Sequence, residues 1–208
     1  MFDDRADAGR QLAGRLEGCA GSAPIVLALP RGGVAVAREI ADALGAPLDL
    51  LMVRKIGLPW QPELALGAIV DGAEPQTVIN EDVAAMVRLP ADYIEEESRR
   101  QLAEIERRRK AWLGDRAPLD VAGRTVIVVD DGIATGATTR AALRGLRRRK
   151  PAHLVLAVPV APPDTVAKLQ AEVDDLICLE TPRDFGAIGF FYRDFHQMTD
   201  DEVMALLG

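Results

Sequence analysis

Cysteine is nearly missing from this chain. Cys19 and Cys178 are the only two among 208 residues, and neither belongs to a CxxC or a Cys/His cluster. That excludes a structural zinc site and a disulfide-stapled scaffold, and it suits a reducing compartment. No apolar run approaches the roughly 18 residues that a membrane span requires. Positive charge is in deficit: 25 Lys and Arg stand against 32 Asp and Glu, a net charge of −7. A chain of that sign without an extended basic tract is poorly suited to non-specific nucleic-acid binding, although a local basic pocket is compatible with it. The two histidines, His153 and His196, have no sequence partner and are assigned no catalytic part. The opening MFDDRADAGRQLAGRL is charged and lacks the apolar centre of a secretory signal, so a cytoplasmic protein is expected.

Hydrophobic residues make up 49% of the chain, enough for a sizeable core in one domain spanning 1–208. Asp7 to Leu16 has helical spacing. Ile25 to Leu29 is a short apolar run that fits a strand buried on both faces, broken by Pro30-Arg31-Gly32-Gly33. Val34 to Leu44 reads as a helix stopped by Gly45, and Leu48 to Val53 as a second strand. Glycines and prolines punctuate residues 55–80, where a hairpin excursion with strands at 64–70 and 76–79 is expected. Asn80 can cap a short helix, and 92–112 is a long charged one. Strands at 125–129, 154–158 and 176–179 then alternate with helices at 139–149 and 163–172, and Thr199 to Glu202 is a capping box. The fold class is therefore α/β, a mainly parallel sheet flanked by helices. In such sheets ligands bind at the carboxyl ends of the strands, which brings three loops together: 30–33, 55 onward, and 130–138.

The third of these loops carries the chemistry. Residues 126–139 read VIVVDDGIATGATT. Glycines expose backbone N–H groups, the following helix adds partial positive charge, and Thr135 and Thr138 add hydroxyls, a phosphate cradle that needs no lysine. The GxxxxGK[ST] pattern of a P-loop is absent. Asp130 and Asp131 precede the cradle, where carboxylates can accept hydrogen bonds from vicinal ribose hydroxyls. A strand ending in an ordinary acidic turn is the simpler account of Asp-Asp-Gly alone, but not of the whole stretch.

VIVVDDGIATGAT resembles the phosphoribosyl-pyrophosphate (PRPP) signature of the type I phosphoribosyltransferases. LPRGGVAVA resembles that family's pyrophosphate loop. VRKIGLPWQPELALGAI and FGAIGFFYRDF are similar to a bacterial subgroup of it. The resemblance implies a core of about 22–180 under a small hood built from N-terminal residues and about 181–208. It implies Mg²⁺-dependent transfer of phosphoribose from PRPP to a nitrogenous acceptor, a nucleobase or base-like heterocycle, with release of pyrophosphate. Asp130 and Asp131 would hold the ribose hydroxyls, directly or through metal-bound water. Backbone N–H groups of Ala134, Thr135, Gly136, Ala137 and Thr138, with the Thr135 and Thr138 hydroxyls, would hold the 5′-phosphate, and Gly132 and Ile133 would also bind PRPP. Arg31, Gly32 and Gly33 would meet the pyrophosphate, with Arg54 and Lys55 neutralising its charge as it departs. Arg31, Lys55, Asp130 and Asp131 are thus the catalytic candidates. Phe185 would stack on the acceptor, and Asp194 would lie near the metal or an acceptor amine. The family also implies a homodimer and a place in nucleotide salvage.

One position departs from the purine branch. The third residue after the acid pair there is commonly an aspartate acting as general base; here it is Ala134, which cannot move a proton. A second reading therefore stands beside the enzyme, a PRPP or nucleotide sensor on the same fold without turnover. A kinase or phosphatase is a third, disfavoured by the missing P-loop lysine and the missing catalytic Cys or DxD. The basic runs 107–110 and 144–150 read as solvated helix ends matched to the helix dipole.

Overall fold

The computed structural model describes residues 1–90 and 92–208, and of Glu63 the backbone. Five strands form a parallel sheet: β1 (Ile25–Ala28), β2 (Leu48–Leu50), β6 (Thr125–Val129), β7 (His153–Val160) and β8 (Asp175–Glu180), in the order β2-β1-β6-β7-β8. Helices α1 (Arg5–Leu16), α2 (Gly33–Leu44), α4 (Tyr93–Leu113) and α7 (Asp200–Leu207) cover one face, and α5 (Ala137–Arg148) and α6 (Pro163–Gln170) the other. The apolar runs are continuous because both faces are covered. Val26 and Ala28 of β1 join the first cluster, with Ile127 and Val129 of β6. Ile25 and Leu27 join the second, with Val126 and Val128. Alternate residues of a strand point to opposite faces, so both sets must be apolar.

The second expected strand is two. Leu51 N–H still bonds Ala28 O at 2.9 Å, which ends the pairing with β1. The chain then turns into β3 (Val53–Leu58), which pairs antiparallel with β4 (Gln61–Val70), and β4 with β5 (Gln76–Ile79). This second sheet packs Ile56, Leu58 and Leu66 against α3 (Glu81–Met86) and the start of α4. Arg54 and Lys55 therefore stand on β3, not at the end of a core strand. A reciprocal pair of bonds extends the β3–β4 pairing by one step: Asp71 N–H to Met52 O at 2.9 Å, and Met52 N–H to the Asp71 carboxylate at 2.8 Å.

The solvated-end reading of the basic runs fails at two residues. Arg109 and Arg149 are buried. Arg109 pairs with Asp49 and, at 3.1 Å, with Asp71, tying α4 to β2 and to the end of β4. Arg149, just past α5, donates to Asp71 O at 3.3 Å and Leu119 O at 3.2 Å. No helix among the described residues is long and apolar enough to cross a membrane.

Candidate functional site

The loop from β6 to α5 opens on the acid pair. Asp131 N–H donates to its neighbour's carboxylate, Asp130 Oδ1, at 2.9 Å. Asp130 is half-buried. Its withdrawal from water, and then the nearby Asp131 charge, push its carboxyl well above the usual range. Beyond the pair, Ile133 turns inward into the core and its N–H bonds Val160 O at 3.0 Å. Ala134 O accepts the Thr165 hydroxyl at 2.7 Å, which pins the loop from α6. Gly136 caps α5 at φ 75°, a left-handed conformation that glycine adopts without strain. Among the described residues the N–H groups of Ala134 to Thr139 have no acceptor inside the protein, while Ala134, Thr135, Ala137 and Thr138 face solvent. The loop is thus a row of unspent donors at a helix N-terminus.

The turn after β1 lies against this loop. A Cβ on Gly32 would fall 1.8 Å from Asp131 Oδ2, and one on Gly33 2.7 Å from Val129 O, so both positions need glycine for the approach itself. The Pro30–Arg31 peptide is cis. Arg31 points away from the turn: it donates to Met198 O at 3.2 Å, pairs with Asp200 at 3.1 Å and lies 5.9 Å from the Trp112 ring. Arg54 and Lys55 flank a cleft of about 630 Å³ between β3, α4 and Thr138, with Tyr93, Glu97, Arg100 and Gln101 on its other wall. Arg54 Nε donates to Gln101 there at 2.9 Å. The cleft meets the loop between β6 and α5 only at Thr138, and neither aspartate lines it. Lys55 and Thr138 also border a smaller cleft of about 290 Å³ over β4 and β5. The structure therefore brings together residues 32 and 33 with 129–131, and residues 54 and 55 with 138, while the Arg31 side chain lies apart.

The C-terminal segment closes over the acid pair. Ile188 lies so near Gly132 that a Cβ there would sit 2.5 Å from its side chain. Tyr192 donates its hydroxyl to Asp131 O at 2.6 Å, and burial holds that phenol protonated. Phe185 rests on Phe191 at 5.5 Å between ring centroids. Asp194 is exposed and accepts from the backbone and ring of His196, whose ring bond is the main cause of its lowered carboxyl value. Two residues that sequence reasoning passes over belong to the site: Tyr192, and Arg5, whose Nε bonds Asp131 Oδ2 at 2.7 Å. Only the Asp-Asp-Arg opening marks Arg5 in the sequence, and that pattern alone reads as a helix start. Burial pushes the Cys178 thiol up to about 11 and also raises Cys19, so neither supplies a ready thiolate.

The family model described as "Phosphoribosyl transferase domain" matches residues 3–195. A Mycobacterium tuberculosis (strain ATCC 25618 / H37Rv) protein named "Putative phosphoribosyl transferase" is 49% identical over 207 residues, all of this chain and 46% of its own length. The chain thus spans about half the length of the curated relatives it matches so extensively. A solved structure, that of the Thermus thermophilus protein TT1426, is 42% identical and superposes with a TM-score of 0.87 over 100% of this chain and 97% of that one. A shorter match, 39% identical over 62 residues, joins 30% of the chain to 29% of a Nocardioides protein named "Uracil phosphoribosyltransferase". A family match over nearly the whole chain, centred on two turns packed glycine to carboxylate, leaves one assignment: this chain belongs to the phosphoribosyl transferase domain family.

Proposed function

We propose that the chain is a Mg²⁺-dependent phosphoribosyltransferase that moves the phosphoribosyl group of PRPP to a nucleobase-like heterocycle and releases pyrophosphate. The observation that carries this reading is the contact of Gly32 with the Asp131 carboxylate, beside a loop whose N–H groups from Ala134 to Thr139 have no acceptor among the described residues. The 5′-phosphate lies on that loop, where helix charge and unspent donors favour an anion. Asp130 and Asp131 accept from the ribose hydroxyls. The donor set fits Mg²⁺: withdrawal from water, and then the neighbouring Asp131 charge, raise the Asp130 value, and a cation beside the pair relieves both costs. Among the described residues no group of three acidic, His or Cys side chains could hold a metal. Few protein ligands is also how Mg²⁺ is usually bound, with substrate phosphates and water completing its shell. When bound it supplies charge neutralisation at the phosphates.

Arg31, Gly32 and Gly33 take the pyrophosphate in this reading. Arg31 must then leave Asp200, and an exposed pair of that kind is worth only about 0–1 kcal/mol, so a multiply charged leaving group displaces it readily. Lys55 and Arg54 supply further positive charge from β3 as the bond from the anomeric carbon to pyrophosphate breaks. The new bond forms to an acceptor nitrogen from the opposite side, and positioning and charge stabilisation lower the barrier without a covalent intermediate. The segments that meet at Phe2 and Tyr192 form the hood. Phe185 and Asp194 border the acceptor. The uracil in one partial relative's name belongs to the same acceptor class.

Ala134 favours a second reading, a sensor that binds PRPP without turnover. Pyrophosphate release in the presence of Mg²⁺, PRPP and a panel of heterocyclic acceptors separates the two: acceptor-dependent release is expected of the enzyme, and PRPP binding by calorimetry with no release of the sensor. The double substitution Asp130→Asn with Asp131→Asn is expected to abolish PRPP binding while the far-ultraviolet circular dichroism stays native. Full affinity in that variant overturns the ribose assignment.

A further inference from the structure

We propose that Arg5 is a positioning residue for the phosphoribose site, through which the two ends of the chain together set the orientation of Asp131. The proposal rests on the reading above of Asp130 and Asp131 as ribose ligands. Arg5 Nε donates to Asp131 Oδ2 at 2.7 Å, with the two side chains only 10% and 12% exposed. Its Nη1 donates to His196 O at 2.9 Å, and its Cζ lies 4.0 Å from the centre of the Phe195 ring. Phe195 stacks on Tyr192 at 5.0 Å, and the Tyr192 hydroxyl returns to Asp131, donating to its backbone oxygen. Asp131 is thus gripped by its side chain and by its main chain from one circuit of contacts.

The grip has a consequence for ligand binding. Oδ2 is used by Arg5 and hemmed in by Gly32, and the neighbouring Asp130 carboxyl lies within hydrogen-bonding reach, so the Asp131 side chain is confined to one orientation. A carboxylate held in one orientation meets a ligand from one direction, which is what discrimination of a sugar hydroxyl requires. The circuit closes only when α1 and residues 191–196 are docked, through Phe2 N–H to Phe191 O at 2.8 Å and Arg193 N–H to Phe2 O at 2.9 Å. Buried ion pairs contribute little net stability, so the effect of this one is expected in position more than in fold energy. Lysine cannot replace it, because a single ammonium reaches the carboxylate or the His196 carbonyl without the planar fork and the stacking face.

Affinities for ribose 5-phosphate and 2,3-dideoxyribose 5-phosphate, measured by calorimetry with Mg²⁺ for wild type, Arg5→Lys and Tyr192→Phe, test the proposal. Wild type is expected to favour the hydroxylated sugar. In folded Arg5→Lys that preference is expected to narrow by about 10-fold or more, the scale of one hydrogen bond to a charged group, while affinity for the dideoxy sugar stays unchanged. Tyr192→Phe is expected to narrow it in the same direction by less, and it carries the test should Arg5→Lys fail to fold. An unchanged preference, or an equal loss for both sugars, overturns the proposal. A wild type with no preference defeats the ribose assignment itself and takes this proposal with it, a result distinct from one confined to the variants.

Discussion

Gly33 shows how a single missing side chain sets the distance between two turns. A Cβ there would meet Val129 O at 2.7 Å and Asp130 Cα at 3.0 Å, both main-chain atoms of β6 and its end, which cannot swing aside as a side chain could. Gly33→Ala is expected to lower stability by about 1–3 kcal/mol, read as a lower urea midpoint, and to weaken PRPP binding because the two turns are pushed apart. An unchanged midpoint would show the approach to be looser than these distances. The Gly-Gly pair, the acid pair and the threonine loop are all legible in sequence, since each is a local pattern. Arg5 is not, because its meaning comes from a carboxylate 126 positions away. Arg109 and Arg149 mislead for the same reason: each looks like its exposed neighbours until Asp49 and Asp71 are placed beside it.

At the scale of elements, local chemistry speaks more plainly. The capping box predicted at residues 199–202 is present in both directions: the Thr199 hydroxyl accepts from Glu202 N–H, and the Glu202 carboxylate from Thr199 N–H. Thr199→Ala is expected to cost about 1 kcal/mol, measured by chemical denaturation, and no loss would mean α7 is held by packing alone. The same helix carries Asp200, which holds Arg31, so the substitution also loosens the resting place of the residue proposed to meet pyrophosphate. The break between β2 and β3 was not legible. Leu48 to Val53 is a continuous apolar run, and periodicity does not say when a strand changes partners. The helix starts move by a residue or two, as at α5, whose first turn begins at Ala137 because Gly136 turns the chain into it.

For the whole molecule, the buried cluster of Asp49, Asp71, Arg109 and Arg149 is the joint between the two sheets. Burial pushes the Asp71 carboxyl from 3.8 up to about 6, against the lowering pull of Arg109 and the Met52 N–H. The folded state therefore holds this proton more tightly than the unfolded chain. The contribution is fully present below about pH 4 and is lost as pH rises through about 6, a change of roughly 3 kcal/mol. Asp71→Asn removes the titration. The unfolding free energy of wild type minus that of the variant is expected to fall by that amount between roughly pH 4 and 7, followed by urea unfolding at each pH. A difference that stays flat across this window would place the proton elsewhere.

Fold class, the alternation of core strands and helices, the glycine-threonine loop after β6 and the family were readable from residue order alone. They depend on patterns a few residues long, periodicity, glycine placement and capping, whose energetics are local. Which groups hold Asp131, where Arg31 rests and which arginines are buried could be settled only when distant segments met. Those are matters of burial and charge pairing, and a charge has no environment until the chain has folded around it.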